Sequence, residues 1–90
     1  MELPAAATLE QAGALQQLLD VGLAGAEGNQ LRIDASALRE FDTSTLALLL
    51  EAGRRARAQG STFTVVGAPA KLLELARLYG VDQLLSIEAA

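Results

Sequence analysis

The sequence lacks the two residue types that most often supply reactive groups in enzymes and metal sites. It contains no cysteine, so it offers no disulfide, no thiol nucleophile and no thiolate ligand for a metal. It also contains no histidine, the commonest general base and the commonest metal ligand in proteins. We therefore expect no catalytic site, no metal site and no cofactor in this chain.

Aromatic residues and positive charge are scarce as well. The chain has two Phe, one Tyr and no Trp, and its formal net charge is −4 at pH 7. Nucleic-acid binding relies on a basic surface or on aromatic side chains that stack on bases. We expect no nucleic-acid partner, whereas an acidic surface that faces a basic protein remains open.

Long apolar runs are absent too. No run approaches the roughly 20 residues that a helix needs to span a bilayer. The opening residues, "MELPAAATLEQ", lack the basic start of a secretory signal. These features predict a cytoplasmic location and no direct insertion into a membrane.

The residues that are present suffice for one small hydrophobic core. Hydrophobic types make up 51% of the 90 residues, which argues against disorder. A chain of this length has room for a single domain, and no linker or repeat divides it. We therefore expect one domain over residues 1–90.

The first part of the chain is predicted to form a weak strand followed by a helix. The strand candidate is "ELPAAAT". Thr8 and Gln11 have the spacing of a capping box, and apolar residues at three- and four-residue spacing follow from Leu9 to Leu23. This pattern predicts a helix of about four turns that closes in the glycine-rich "GLAGAEGN".

The remaining segments continue the alternation of strands and helices. "QLRIDAS" alternates apolar and polar residues, and "STFTVVGA" is rich in β-branched residues, so both are typical of strands. In "PAKLLELARLYG", Pro69 is expected at the first helical position and Gly80 just past the end. The apolar stripe of this helix is expected to contain Leu72, Leu73, Ala76 and Tyr79. Residues 83–87, "QLLSI", fit either a short last strand or a docked tail. The order β-α-β-α-β-α predicts an α/β domain with a small, mostly parallel sheet.

The stretch "EFDTSTLALLLEAGRRARAQG" predicts a helix that begins at Thr43 and is capped by the Asp42 carboxylate. We projected it at about 100° per residue. The residues expected on the core side are Leu46, Leu49, Leu50, Gly53 and Ala56. The residues expected to face solvent are Ser44, Leu48, Glu51 and Arg55. Thr43 is expected at the margin between the two faces, beside Ala47 and Arg54.

The hydroxyl run Thr43, Ser44 and Thr45 has two interpretations on the residues alone. The first is helix capping and nothing more. The second is a functional site, because an exposed Ser44 in the first turn of a helix suits a phosphoryl group. Such a group would add negative charge under any partner that docks over Ser44, Ala47 and Leu48.

Two other clusters are candidate sites. Asp34 and Asp42 could act as paired carboxylates in acid–base chemistry or Mg²⁺ binding. We favour structural roles, in which Asp34 accepts hydrogen bonds from the turn after its strand and Asp42 caps its helix. The basic cluster "RRAR", residues 54–57, is interpreted as a solvated helix end. Contacts of this cluster with phospholipid headgroups or an acidic partner stay open.

A longer part of the sequence resembles a known family. "LRIDASALREFDTSTLALLLEAGRRARAQGSTFTVVGAPAKLLELARLYGVDQLL" is similar to a STAS domain, the module of sulphate-transporter tails and anti-sigma factor antagonists. The features that match are the strand ending in "DAS", the motif "FDTSTLALLL", and the strand ending in "GAP" before the last helix. The resemblance implies a sheet with helices packed on one side.

In the antagonist branch of that family, a "D-S-S-G-L" motif carries a second hydroxyl residue that a partner kinase phosphorylates. Asp42, Thr43 and Leu46 match this motif, and Ser44 matches the phosphorylated residue. Thr45 replaces the family glycine. We expect its side chain to crowd a partner backbone that approaches the start of the helix.

A second branch is more similar. It comprises the stand-alone STAS subunits of bacterial ABC complexes that move phospholipids between the two membranes of Gram-negative bacteria. Their motif resembles "D-T-A-G-L-A-L-L-L", and the threonine after the aspartate, here Thr43, is implicated in docking onto the ATPase.

The hypothesis that follows is a non-catalytic subunit that regulates an ABC-transporter ATPase and so maintains outer-membrane lipid asymmetry. It would be peripheral on the cytoplasmic face of the inner membrane, within a complex that includes a permease. The alternative is an anti-sigma factor antagonist whose Ser44, or Thr43, is phosphorylated by an anti-sigma factor kinase. A structural homodimer is a third hypothesis. The expected contact residues are Thr43, Ser44, Ala47, Leu48 and Glu51, with Arg54 and Arg55 at the rim.

Overall fold

The computed structural model describes residues 1–25 and 30–89, which contain both strands and helices. The strands are β1 (Ala6–Ala7), β2 (Gln30–Asp34), β3 (Glu40–Phe41), β4 (Thr62–Ala68) and β5 (Ile87–Ala89). The helices are α1 (Ala12–Ala24), α2 (Thr43–Ala58), α3 (Ala70–Leu78) and α4 (Asp82–Leu85).

The strands that the structure describes pair in parallel and form two small sheets. The larger sheet has the order β2-β4-β5, and β1 pairs with β3 in the smaller one. The first residues extend the larger sheet, since the N–H of Leu3 donates to the carbonyl of Asp34 at 2.8 Å. The predicted parallel sheet is confirmed.

The larger sheet buries one face. Leu31 and Ile33 of β2, with Phe63 and Val65 of β4, are buried in the hydrophobic core. On the opposite face of β2 the side chain of Arg32 is exposed. The helices contribute their apolar residues to the core on the buried side, so the predicted α/β fold is confirmed.

Helix α1 begins later than its sequence pattern predicts. A 3₁₀ turn, Leu9–Gln11, precedes it, and the Gln11 side-chain oxygen accepts a hydrogen bond from the N–H of Thr8 at 2.9 Å. The prediction that Leu9 shares the apolar stripe is wrong, because its side chain is 71% exposed. The tighter winding of a 3₁₀ turn moves this residue away from the face that α1 buries. Residues 26–29 of the predicted glycine-rich turn lie outside the described residues.

Helix α2 buries the face that its sequence predicts. Leu46, Leu49 and Ala56 are buried, and Leu50 is half-buried. Gly53 is buried as well, and a Cβ atom there would lie 3.0 Å from the ring of Phe63. This close approach places α2 directly on β4.

The C-terminal part contains a helix that the sequence analysis does not predict. Residues 83–87 form neither a single strand nor a simple tail. Helix α4 ends at Leu85, Ser86 has a left-handed backbone with φ of 49°, and Ile87 begins β5. The stripe predicted for α3 also needs a correction, because Tyr79 lies beyond the last residue of that helix and is 57% exposed.

Candidate partner-binding surface on helix α2

The N-terminus of α2 is capped by Asp42, as predicted. One carboxylate oxygen, Oδ1, accepts from the N–H of Ser44 at 2.9 Å, and the Asp42 carbonyl accepts from the N–H of Thr45 at 3.0 Å. The other oxygen, Oδ2, accepts from the N–H of Leu9 at 3.2 Å. The hydrogen bond from the Ser44 side chain, together with these backbone bonds, lowers the pKa of the Asp42 carboxyl below its ordinary value of 3.8.

The three consecutive hydroxyl residues have three different environments. The side chain of Thr43 is exposed, and that of Ser44 is half-buried. The Ser44 hydroxyl donates to Oδ1 of Asp42. Thr45 is completely buried, with no exposed side-chain area. Only the first two hydroxyl groups can therefore meet a partner.

The burial of Thr45 corrects the expectation that it would crowd an approaching partner. Its hydroxyl donates to the carbonyl of Ala7 and accepts from the N–H of Asp42 at 3.2 Å. Both contacts satisfy backbone groups where β1 passes the start of α2. Because the side chain is directed into the protein, the replacement of the family glycine leaves the surface unchanged.

A groove runs between α1 and the first turns of α2, and we call it the α1–α2 groove. It has a volume of about 240 Å³. Its lining residues are Thr8, Ala12, Leu15, Gln16, Ser44, Ala47, Leu48 and Glu51. The prediction that Ser44, Leu48 and Glu51 face open solvent is wrong, since all three are half-buried in the wall of this groove. Helix α1 lies alongside them, and a projection of α2 alone could not include that neighbour.

A second groove lies on the other side of α2, and we call it the Tyr79 groove. It also has a volume of about 240 Å³. Its lining residues are Thr43, Leu46, Ala47, Leu50, Tyr79 and Val81. Ala47 lines both grooves and is exposed, so it forms a low ridge between them. The predicted contact residues Thr43 and Ser44 thus face different grooves on either side of this ridge.

The two arginines predicted at the rim form ion pairs. Arg54 binds Glu51 at 2.5 Å, three residues earlier on the same helix. Arg55 binds Asp20 at 2.7 Å and so connects α2 to α1. The hydrogen bond from Arg54 lowers the pKa of Glu51 below its ordinary value. Neither arginine lines either of the two grooves.

Asp34 has the structural role that its sequence position predicts. Its Oδ1 accepts from the N–H of Ser36 at 2.9 Å. The hydrogen bonds from Ser36 lower the pKa of this carboxyl, the side-chain bond most of all. Across residues 1–25 and 30–89, no three acidic side chains cluster in a way that could hold a metal ion.

Sequence reasoning missed half of the groove walls. Thr8, Ala12, Leu15 and Gln16 come from the segment that begins α1, and Tyr79 follows α3. No periodicity marks these positions as surface neighbours of α2. Tyr79 offered a signal by its residue type, because a tyrosine combines an apolar ring with a polar hydroxyl and is enriched at interfaces.

Comparison with known families identifies a match to this chain. A family model described as "Mlab, STAS domain" matches residues 1–86. No curated protein matches the chain. Within the part of the chain that the structure describes, none of the helices has the length and apolar character needed to cross a bilayer.

Proposed function

The chain belongs to the STAS domain family, and from this premise we propose that it is a non-catalytic subunit of a bacterial ABC transporter for phospholipids. In this role it resembles MlaB, and it binds and regulates the ATPase subunit. The family supports a regulatory or binding protein, and the description of the matched model supports the transporter branch. The complex, with its permease, would hold the protein on the cytoplasmic face of the inner membrane.

The observation that carries this proposal is the position of Thr43. It is exposed on the first turn of α2, at the edge of an apolar groove that also contains Leu46 and Tyr79. A small exposed residue, Ala47, lies one turn further along. Such a surface allows a partner to approach the helix closely, with apolar side chains entering the grooves on either side.

The apolar lining and the charged rim are expected to contribute to different properties of binding. Leu48 and Ala47 supply contact area that binding removes from water. The ion pairs of Glu51 with Arg54 and of Arg55 with Asp20 lie at the border. Charges in such a rim set the orientation and the rate of association more than the affinity.

A substitution at Thr43 tests the proposal. Thr43→Glu places a charged and larger side chain at the groove edge, and we expect co-purification with the ATPase to be lost. Gln17→Glu is the matched control, because it adds the same charge at an exposed residue of α1 that lines neither groove. Retention of the ATPase by the Thr43 variant would contradict the proposal, provided that both variants are folded.

The second candidate function is an anti-sigma factor antagonist controlled by phosphorylation of Ser44. The burial of Thr45 favours it, because the residue that departs from the antagonist motif does not obstruct the surface. Ser44 is half-buried in the wall of the α1–α2 groove.

Mass spectrometry of protein from native cells, in growth and in stress, distinguishes the two functions. The antagonist function requires phosphate on Ser44 in one of these conditions, and its absence from both would exclude that function. The genes beside the coding sequence give a second criterion, since a transporter subunit is expected beside an ATPase and a permease.

A further inference from the structure

We propose that Asp42 is a positioning residue that joins the 3₁₀ turn before α1 to the start of α2 and so sets the width of the α1–α2 groove. One oxygen of its carboxylate binds the first turn of α2 through Ser44, and the other binds Leu9 in the turn before α1. Leu9 and Asp42 are 33 residues apart in the sequence. The carboxylate therefore joins two segments that are far apart in the sequence.

The position of this bridge relates it directly to the groove. One wall of the groove comes from Thr8 and the first turns of α1, and the other comes from α2. The ion pair between Asp20 and Arg55 connects the two helices towards the C-terminal end of α1. Asp42 adds a connection at the opposite end, where the groove begins and where the Thr45–Ala7 bond and the pairing of β1 with β3 lie close by.

The 3₁₀ turn Leu9–Gln11, which Asp42 contacts through the N–H of Leu9, has few other contacts with the rest of the protein. Leu9 is 71% exposed, and Ala12 is exposed as well. The first buried residue of α1 is Leu15. Thr45 anchors Ala7, which precedes this turn. Without the bond to Leu9, the residues between Ala7 and Leu15 keep the Thr8–Gln11 contacts but lose their hydrogen bond to α2.

A single substitution can remove one of the two contacts of Asp42 and keep the other. A carboxylate has two acceptor oxygens, whereas the side chain of asparagine has one acceptor oxygen and one NH₂ donor. Asparagine is as good a helix N-cap as aspartate. Asp42→Asn therefore preserves the cap of α2 and removes the acceptor that faces the N–H of Leu9.

Hydrogen exchange of individual amides in the purified chain is the direct test. In the Asp42→Asn variant we expect exchange at Leu9 to rise about tenfold or more, and exchange at Ser44 to change less than about threefold. Asp34→Asn is the matched control, since the hydrogen bonds to that carboxylate from the described residues come from Ser36 in its own turn, and its loss should leave Leu9 unchanged. Unchanged exchange at Leu9 in the Asp42 variant would overturn the proposal. So would an equal rise at Leu9 and Ser44, because Asp42 would then be a cap and nothing more.

A distance measurement tests the width of the groove. The chain has no cysteine, so two introduced cysteines can carry spin labels without interference. Glu10 and Ala47 are suitable positions, because both are exposed and lie near the start of α1 and near the start of α2. We expect the distribution of label distances to broaden in Asp42→Asn and to stay narrow in Asp34→Asn. An unchanged distribution in the Asp42 variant would overturn the proposal.

The effect on a partner rests on the proposed function, and the two measurements above do not. If α2 binds an ATPase, Asp42→Asn should weaken that binding while Asp34→Asn leaves it intact. Exchange at Leu9 that rises without weaker binding would overturn the link between groove width and docking. Failure of the wild-type chain to bind any ATPase would instead contradict the proposed function and leave the exchange result standing.

Discussion

The two ends of helix α2 use polar side chains in different ways. At the N-terminal end, Asp42 and Thr45 bind backbone groups of Leu9 and Ala7, which belong to another segment of the chain. Towards the C-terminal end, the two arginines form ion pairs with other side chains, as in the pair between Arg55 and Asp20, while the Gln59 side chain donates to the carbonyl of Leu23 at 3.2 Å. The Arg54 side chain in the neighbouring pair is 69% exposed.

This difference separates a fixed surface from an adaptable one. A buried hydroxyl that satisfies backbone groups has no alternative partner, so its loss leaves those groups unpaired. Exposed ion pairs contribute little to stability and are screened by salt. The first turns of α2 therefore form a preorganised surface that includes Thr43 and Ser44. The arginines beyond them can exchange partners when another protein binds.

The largest expected effect comes from removal of the buried hydroxyl. Thr45→Val retains the shape of the side chain but leaves the carbonyl of Ala7 and the N–H of Asp42 without this partner. We expect the free energy of unfolding to fall by about 1–3 kcal/mol. Urea denaturation followed by circular dichroism measures this change.

Thr43→Val is the matched control, because it makes the same substitution two residues earlier at an exposed position. We expect its effect to stay within about 0.5 kcal/mol. Equal losses in the two variants would remove the distinction between the buried and the exposed hydroxyl.

A smaller loss of stability is expected in acid, and the pH at which it begins should differ between Asp42 and Glu51. The folded-state pKa of Asp42 lies below its ordinary value of 3.8, so its stabilisation is complete above that pH. As the pH falls through the lowered pKa, the carboxylate gains a proton and the stabilisation disappears. The difference in stability between the wild type and Asp42→Asn should therefore shrink below pH 3.8. Denaturation midpoints measured across this range provide the test.

Glu51, near the middle of α2, provides the comparison from the ion pairs. Its pKa is lowered from the ordinary value of 4.5 by the hydrogen bond from Arg54. The difference between the wild type and Glu51→Gln should thus begin to shrink at a higher pH than that of Asp42→Asn. A difference for Asp42→Asn that grows in acid would contradict the assigned hydrogen bonds.

The smallest effect is expected for the interhelical ion pair. A double-mutant cycle with Arg55→Ala and Asp20→Ala should give a coupling energy below about 1 kcal/mol, because both side chains are partly exposed. The coupling should diminish in about 1 M salt, where the Debye length is only about 3 Å. A coupling larger than the loss in Thr45→Val would reverse the ranking of the two ends.

The sequence predicted those features of α2 that depend on the helix alone. The cap at Asp42 follows from residue type and position, and the buried face follows from the spacing of Leu46, Leu49 and Ala56. The parallel sheet follows from the alternation of strands and helices.

The features that the sequence did not predict depend on contacts between distant segments. The burial of Thr45 requires β1 to lie over the start of α2, and helical projection contains no information about that neighbour. The α1–α2 groove likewise needs the position of α1 beside Leu48. Helix α4 is a single short turn, too brief for its periodicity to be recognised.

The central claim is that a protein partner docks on the ridge formed by Ala47 between the two grooves. A photo-crosslinking amino acid at position 47, introduced in native cells, tests this claim directly. Position 32 is the control, because Arg32 is exposed on the face of β2 opposite the core. We predict that an ABC-transporter ATPase is crosslinked from position 47 and not from position 32. An ATPase crosslinked from position 32 alone, or no crosslinked protein from position 47, would contradict the claim.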